Sequence, residues 1–125
     1  MDYIRKISDM YQGNILLYPP YKEKRPENIP EELYDILQVS NGIKETMIEP
    51  KTGQEIPIAW IVYPYERMME ETDFYKNEYN IEGIVFTDDG AGNPYVLKSD
   101  GEVAYYNIID AEETKEADSL AEFYT

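Results

Sequence analysis

Residues 88–93 read Asp-Asp-Gly-Ala-Gly-Asn, and their types and spacing come nearest to an active-site loop. A glycine-rich loop cradles phosphate by turning backbone N–H groups towards it, usually with a lysine close by. Here two carboxylates precede the glycines, and the nearest cation is Lys98, across the next strand. A calcium loop needs alternating oxygen donors and a distal bidentate glutamate, a spacing this stretch lacks. The pairs Glu70-Glu71 and Glu112-Glu113 offer the carboxylates of a glycosidase. That reaction requires two carboxyls converging on one cleft, one of them with a raised pKa. Adjacent carboxylates on a helix or loop diverge into water instead. The chain has no histidine and no cysteine, which removes the commonest general base, the commonest metal ligand and all thiolate chemistry. No catalytic residue, metal ligand or cofactor is therefore expected, and the protein is not expected to be an enzyme. Gly90 and Gly92 read as residues that let the chain turn at positive φ.

The elements that must position this loop are legible as patterns. Asp2 to Tyr11 reads as an amphipathic helix, with Ile4, Ile7 and Tyr11 on one face, Asp2 as its N-cap and Gly13 as its stop. Ile15 to Tyr18 is a short apolar piece, strand or loop, followed by an irregular stretch punctuated by Pro19, Pro20, Pro26 and Pro30. A second helix is expected from Pro30 at its first position, with Glu31 and Glu32 at its positive end and Leu33, Ile36 and Leu37 facing the core. Asn41-Gly42 supplies the left-handed residue that ends many helices. Thr46 to Glu49 and Glu55 to Val62 read as strands joined around Gly53, with Pro57 marking an edge or a bulge. Pro64 opens a third helix through Tyr65, Met68, Met69 and Phe74.

From Ile84 to Tyr106 the chain alternates as three strands. The second and third are joined by Asp100-Gly101, read as a two-residue hairpin turn with Gly101 at positive φ. A polar link leads to Ser119, which with Glu122 forms a capping box for a short closing helix. Helices, then antiparallel strands with one inserted helix, then a short C-terminal helix make an α+β domain. At 125 residues the chain is one domain's worth.

Charge narrows the partners. The net charge is −15, and it is uneven: residues 1–60 carry 10 acids and 7 bases, residues 61–125 carry 16 acids and 4 bases. Such a surface repels nucleic acid and anionic membranes and draws in basic partners. No apolar run is long enough to cross a bilayer and no signal-peptide core opens the chain, so a cytoplasmic location is expected. Thirteen tyrosines are many for this length. Tyr34, Tyr63, Tyr95 and Tyr105 or Tyr106 belong in or beside the core, as does Trp60, and exposed tyrosines among acids have the character of interface anchors.

A Pro-led helix ending in Asn41-Gly42, an acidic-Gly-x-Gly turn between strands (Asp89-Gly90-Ala91-Gly92) and a short aromatic helix from Ser119 to Tyr124 follow one another in a set order. In this order and spacing the chain, over about residues 25–125, resembles the SUKH superfamily. That superfamily is named for Syd, a herpesvirus protein group and the yeast cell-wall assembly regulator domain. The resemblance implies one domain over residues 1–125, without catalysis or cofactor. It also implies the role of an immunity protein that neutralises a cognate toxin domain, frequently a nuclease, or else that of a regulatory scaffold. The acidic half then supplies the candidate contacts with a basic partner: Glu66, Glu70, Asp73, Asp88, Asp89, Glu112, Glu113 and Glu116. Gly42, Gly90, Gly92 and Gly101 are the expected structural turns.

Overall fold

Asp2 begins the fold as expected, its Oδ1 accepting from the Arg5 amide at 3.1 Å to cap α1 (Tyr3–Met10). Tyr3 and Ile7 are its buried face. Gln12 and Gly13, both at positive φ, stop it, and the Gly13 amide returns to the Ser8 carbonyl at 2.7 Å. The computed structural model describes residues 2–125, and within them the chain runs through four helices and seven strands. The α+β expectation therefore holds, with the strands divided between two antiparallel sheets.

The first sheet takes the order β1 (Ile15–Leu17), β2 (Ile43–Ile48), β3 (Glu55–Val62). Pro57 lies on the edge strand, where the register between β2 and β3 slips by one residue. Both readings of that proline hold, because an edge and a bulge each excuse its missing N–H. Between β1 and β2 runs α2 (Glu31–Val39), which buries Leu33, Ile36 and Leu37. Pro30 sits at the N-cap in an extended conformation, one position before the expected first helical residue.

Asn41 and Gly42 do something other than end α2, which stops at Val39 with Ser40 extended. The Asn41 Oδ1 accepts from the Tyr65 amide at 2.7 Å, at the start of α3 (Tyr65–Tyr79). Pro64, the N-cap there, has no side chain able to do this. Gly42, at φ 109°, lies so close beneath Trp60 and Pro64 that a Cβ would meet Trp60 Cζ3 at 2.9 Å. The pair thus ties the end of one helix to the start of the next.

The second sheet has the order β4 (Ile84–Asp88), β5 (Pro94–Leu97), β6 (Val103–Asn107), β7 (Glu112–Ala117). The strand β7 replaces the expected polar link. Its sequence, EETKEA, shows no apolar alternation because five of its six side chains are exposed. The backbone ladder to β6 holds it in place, and exposed ion pairs border it: Lys98 meets Glu113 at 2.8 Å, and Lys115 meets Glu102 at 2.8 Å and also pairs with Asp118. The hairpin at Asp100-Gly101 is also one residue longer than expected. The Lys98 amide pairs with the Glu102 carbonyl at 2.9 Å, leaving a three-residue loop in which Gly101 alone has positive φ.

The sheets meet where β3 passes β4: the Tyr63 amide donates to the Phe86 carbonyl at 2.8 Å and the Thr87 hydroxyl to the Trp60 carbonyl at 2.9 Å. The closing helix α4 (Leu120–Phe123) is capped by Ser119 as expected, its hydroxyl accepting from the Glu122 amide at 3.1 Å. One apolar cluster runs through all of these parts, from Ile7 and Leu33 to Val62, Phe86, Leu120 and Tyr124. Of the expected aromatics only Tyr63 is fully buried, while Trp60, Tyr34, Tyr95, Tyr105 and Tyr106 stand at intermediate exposure. Phe74 is exposed, and Tyr75 takes its expected place on the buried face of α3.

Candidate functional site

Beyond their meeting point β3 and β4 splay apart, and a cleft of roughly 690 Å³ opens between them. Its walls come from Ala59, Trp60 and Ile61 on one side and Thr87, Asp88 and Asp89 on the other. Met10 and Tyr11 at the end of α1, Tyr95 of β5, and Phe123 and Tyr124 of α4 complete the apolar part. Five carboxylates line it: Glu45, Asp88, Asp89, Glu116 and Glu122. No lysine or arginine does.

A connected set of rings makes the floor. Tyr95 lies 5.0 Å from Tyr105 and 5.1 Å from Phe123, and Phe123 lies 4.9 Å from Tyr124 and 5.5 Å from Phe86, centroid to centroid. Edge and tilted contacts of this kind fix ring orientation as well as burying area. Tyr124 is buried to 1% exposure and its hydroxyl donates to the Ile61 carbonyl at 3.0 Å, so α4 is pinned to β3 across the cleft. Burial pushes the Tyr124 phenol well above its ordinary range, which keeps it a neutral donor.

The acidic turn is built by its own carboxylates. Asp88 Oδ1 accepts from the Gly90 amide at 2.6 Å, and its Oδ2 accepts from the Tyr63 hydroxyl. Burial first, then that hydrogen bond, raises the Tyr63 phenol far above its usual range. Asp89 Oδ1 accepts from the amides of Ala91 and Asn93 at 2.8 and 3.1 Å, and Oδ2 from Asn93 Nδ2 and the Tyr105 hydroxyl at 3.0 and 2.7 Å. Gly90 and Gly92, at φ 85° and 89°, make the bends that bring these amides inward. Every donor in this ring is neutral. The turn is therefore held by neutral donors alone, with no cation among the described residues bound to either carboxylate.

Burial acts to raise the Asp89 pKa, but the hydrogen bonds from Tyr105, Asn93 and the backbone outweigh it and bring the pKa to about 2. A carboxyl depressed in the folded state stabilises the fold above its unfolded value of about 3.9. That contribution is lost as pH falls through about 2. Urea midpoints of the parent chain and Asp89→Asn should therefore differ at neutral pH and converge between about pH 4 and pH 2. A gap independent of pH would show that the charged carboxylate is not what holds the turn.

Of the eight acids read from the sequence, Asp88, Asp89 and Glu116 come together in this cleft. Glu66, Glu70 and Asp73 lie exposed along α3, which contributes nothing to the lining, and Glu66 Oε2 instead accepts from Asn41 Nδ2 at 3.4 Å. Glu112 and Glu113 are exposed at the far end of β7, with Glu113 already paired to Lys98. Two cleft acids escaped the sequence reading. Glu45 lies in the nearly balanced first half, and Glu122 was spoken for as part of a helix cap. Only strand pairing brings Glu45 to the cleft, and no local pattern announces it.

The cleft's charge is uncompensated. Three of the four cations in the acidic half, Arg67, Lys98 and Lys115, are paired to Glu71, Glu113, Glu102 and Asp118. Among the described residues no ion pair reaches a carboxylate of the cleft. The field is felt locally: burial and then Glu45 raise Tyr11, and burial, then Glu116 and Asp89, raise Tyr95. Among the described residues no group of three or more acid side chains is arranged to hold a metal ion. No described helix is long and apolar enough to cross a membrane.

The family model of the SMI1 / KNR4 family (SUKH-1) matches residues 21–125. No curated protein and no solved structure matches the chain.

Proposed function

Since the chain belongs to the SMI1 / KNR4 family (SUKH-1), we propose that it acts by stoichiometric binding, as an immunity protein that neutralises a cognate toxin domain. The observation that carries this reading is the cleft itself, where five carboxylates and no cation stand over a floor of aromatic rings. A basic nuclease is the partner that suits it. Such a toxin holds phosphates with lysine and arginine, and the cleft carboxylates would pair with those cations and occlude the toxin's substrate groove. Exposed rings supply contact area at low entropy cost. No catalytic step is required of the chain, and it would act in the cytoplasm of the cell that makes the toxin.

Opposite charge should lift association well above the neutral ~10⁵–10⁶ M⁻¹s⁻¹ and make it sensitive to salt. The test is to purify the chain with the toxin domain encoded beside it, then titrate one against the other's activity at low and high salt. The expected result is complete inhibition at one equivalent, with affinity falling as salt rises. Inhibition at far less than one equivalent would point to catalysis and sink the binding reading. Affinity unchanged by salt would sink its electrostatic part.

A further inference from the structure

We propose that the aromatic floor of this cleft is a socket for an arginine side chain of the basic partner. This deepens the binding reading above and rests on it for the partner's identity, but not for the chemistry. A cluster of carboxylates alone attracts any cation and sits equally well in water. What this cleft adds is a set of rings in the same lining as the carboxylates, with Tyr95 and Phe123 both half-buried there.

Arginine and lysine answer such a site differently. A guanidinium is planar and weakly hydrated, so it can stack on a ring while its edge donates two parallel hydrogen bonds to a carboxylate. An ammonium is compact and strongly hydrated and loses more on leaving water. Glu116 and Glu122 make no side-chain hydrogen bond or ion pair among the described residues, so their oxygens are free to accept from such an edge. The molecule sets both kinds of cation over rings of its own. Arg67 lies 4.9 Å over the Tyr63 ring, and Lys44 lies 4.5 Å over Trp60. Lys44 already occupies Trp60 and Tyr124 is buried, which leaves Tyr11, Tyr95 and Phe123 as the half-buried rings of the lining.

The volume of roughly 690 Å³ lies within the range of sites that enclose small ligands. A long side chain entering from the partner would find carboxylates and rings in one lining. That combination suits arginine: the carboxylates draw it in and a ring can hold its plane. Buried arginines on aromatic partners are frequent hot spots of protein interfaces.

The experiment uses the whole chain and three blocked tripeptides, Gly-Arg-Gly, Gly-Lys-Gly and Gly-Glu-Gly, titrated by amide and indole NMR shifts. The arginine probe should perturb residues around Tyr95, Glu116 and Phe123, with a dissociation constant on the order of millimolar. The lysine probe should bind about three- to fivefold more weakly and the glutamate probe not at all. Tyr95→Leu should remove the preference for arginine, and Glu116→Gln should weaken both cationic probes while leaving the preference in place. Equal affinity for arginine and lysine, or perturbation centred on the acids of α3, would overturn the socket. Because no toxin is needed, the two proposals fail separately. A seated arginine probe without toxin neutralisation removes the immunity reading and keeps the socket, and the reverse outcome removes the socket alone.

Discussion

The double variant Glu45→Lys, Glu116→Lys is expected to bind the basic partner about 100-fold more weakly than the parent chain. The same change at Glu70 and Asp73 should cost less than about threefold. Both pairs reverse the same amount of charge, so the contrast separates location from net charge. Close interfacial charge pairs show couplings of about 1.5–7 kcal/mol, and about 2.7 kcal/mol corresponds to 100-fold. Glu45 and Glu116 line the cleft and their side chains make no ion pair among the described residues, so their replacement should spare the fold. The α3 acids lie outside the lining and act only through the long-range field, which is screened within about 8 Å at physiological salt. Dissociation constants of the parent chain and the two double variants, measured at two salt concentrations, decide it. Equal losses for the two pairs would mean that the partner reads overall charge and that the cleft has no special part.

Gly83→Ala should destabilise the domain by about 3–5 kcal/mol, a large share of the 5–15 kcal/mol that holds such a domain together. Gly83 enters β4 at φ 117°, where a Cβ would lie 2.5 Å from Val96 Cγ1 and 2.8 Å from the Leu97 carbonyl oxygen. The first contact could be relieved by a rotamer change, but the second is backbone at the end of the β4–β5 ladder, where Leu97 pairs with Ile84. The positive φ adds its own cost of about 1–2 kcal/mol. Gly90 is the internal control, since it has positive φ and nothing within 4 Å of a built Cβ. Gly90→Ala should therefore cost only the conformational part, about 1–2 kcal/mol. Urea unfolding of both variants measures the difference, and equal costs would show that close approach at Gly83 does not matter.

Both expected results turn on features of different legibility. The glycines of the turns were readable, because positive φ leaves a mark in residue type, and Gly42, Gly90, Gly92 and Gly101 all have it. The reason each is needed was not. Gly42 was read as the stop of a helix, but it is the floor beneath Trp60 and Pro64. Asn41 was read with it, but it caps a helix that begins 24 residues later in the chain. A side chain's long-range partner has no local signature.

The same division runs through the strands and the acids. Alternation found β4, β5 and β6, none of whose side chains is exposed, and missed β7, an edge strand with five of six side chains exposed and held by its ladder to β6. Composition placed the charge in residues 61–125, yet one of the five cleft carboxylates, Glu45, comes from outside that half. The two tyrosines that anchor Asp88 and Asp89 lie 25 and 16 residues away from them, just beyond β3 and on β6 respectively.

By itself the sequence determined the α+β class, the family, the sign of the field and the absence of histidine and thiol chemistry. These follow from residue type and short-range spacing, and both survive any folding of the chain. Only the tertiary structure decided that the acidic glycine turn is a fixed wall and that three of eight candidate acids share a cleft with two others. It also laid rings beneath them. A cleft forms where two sheets splay, and which residues face each other there is set by pairing between strands far apart in sequence.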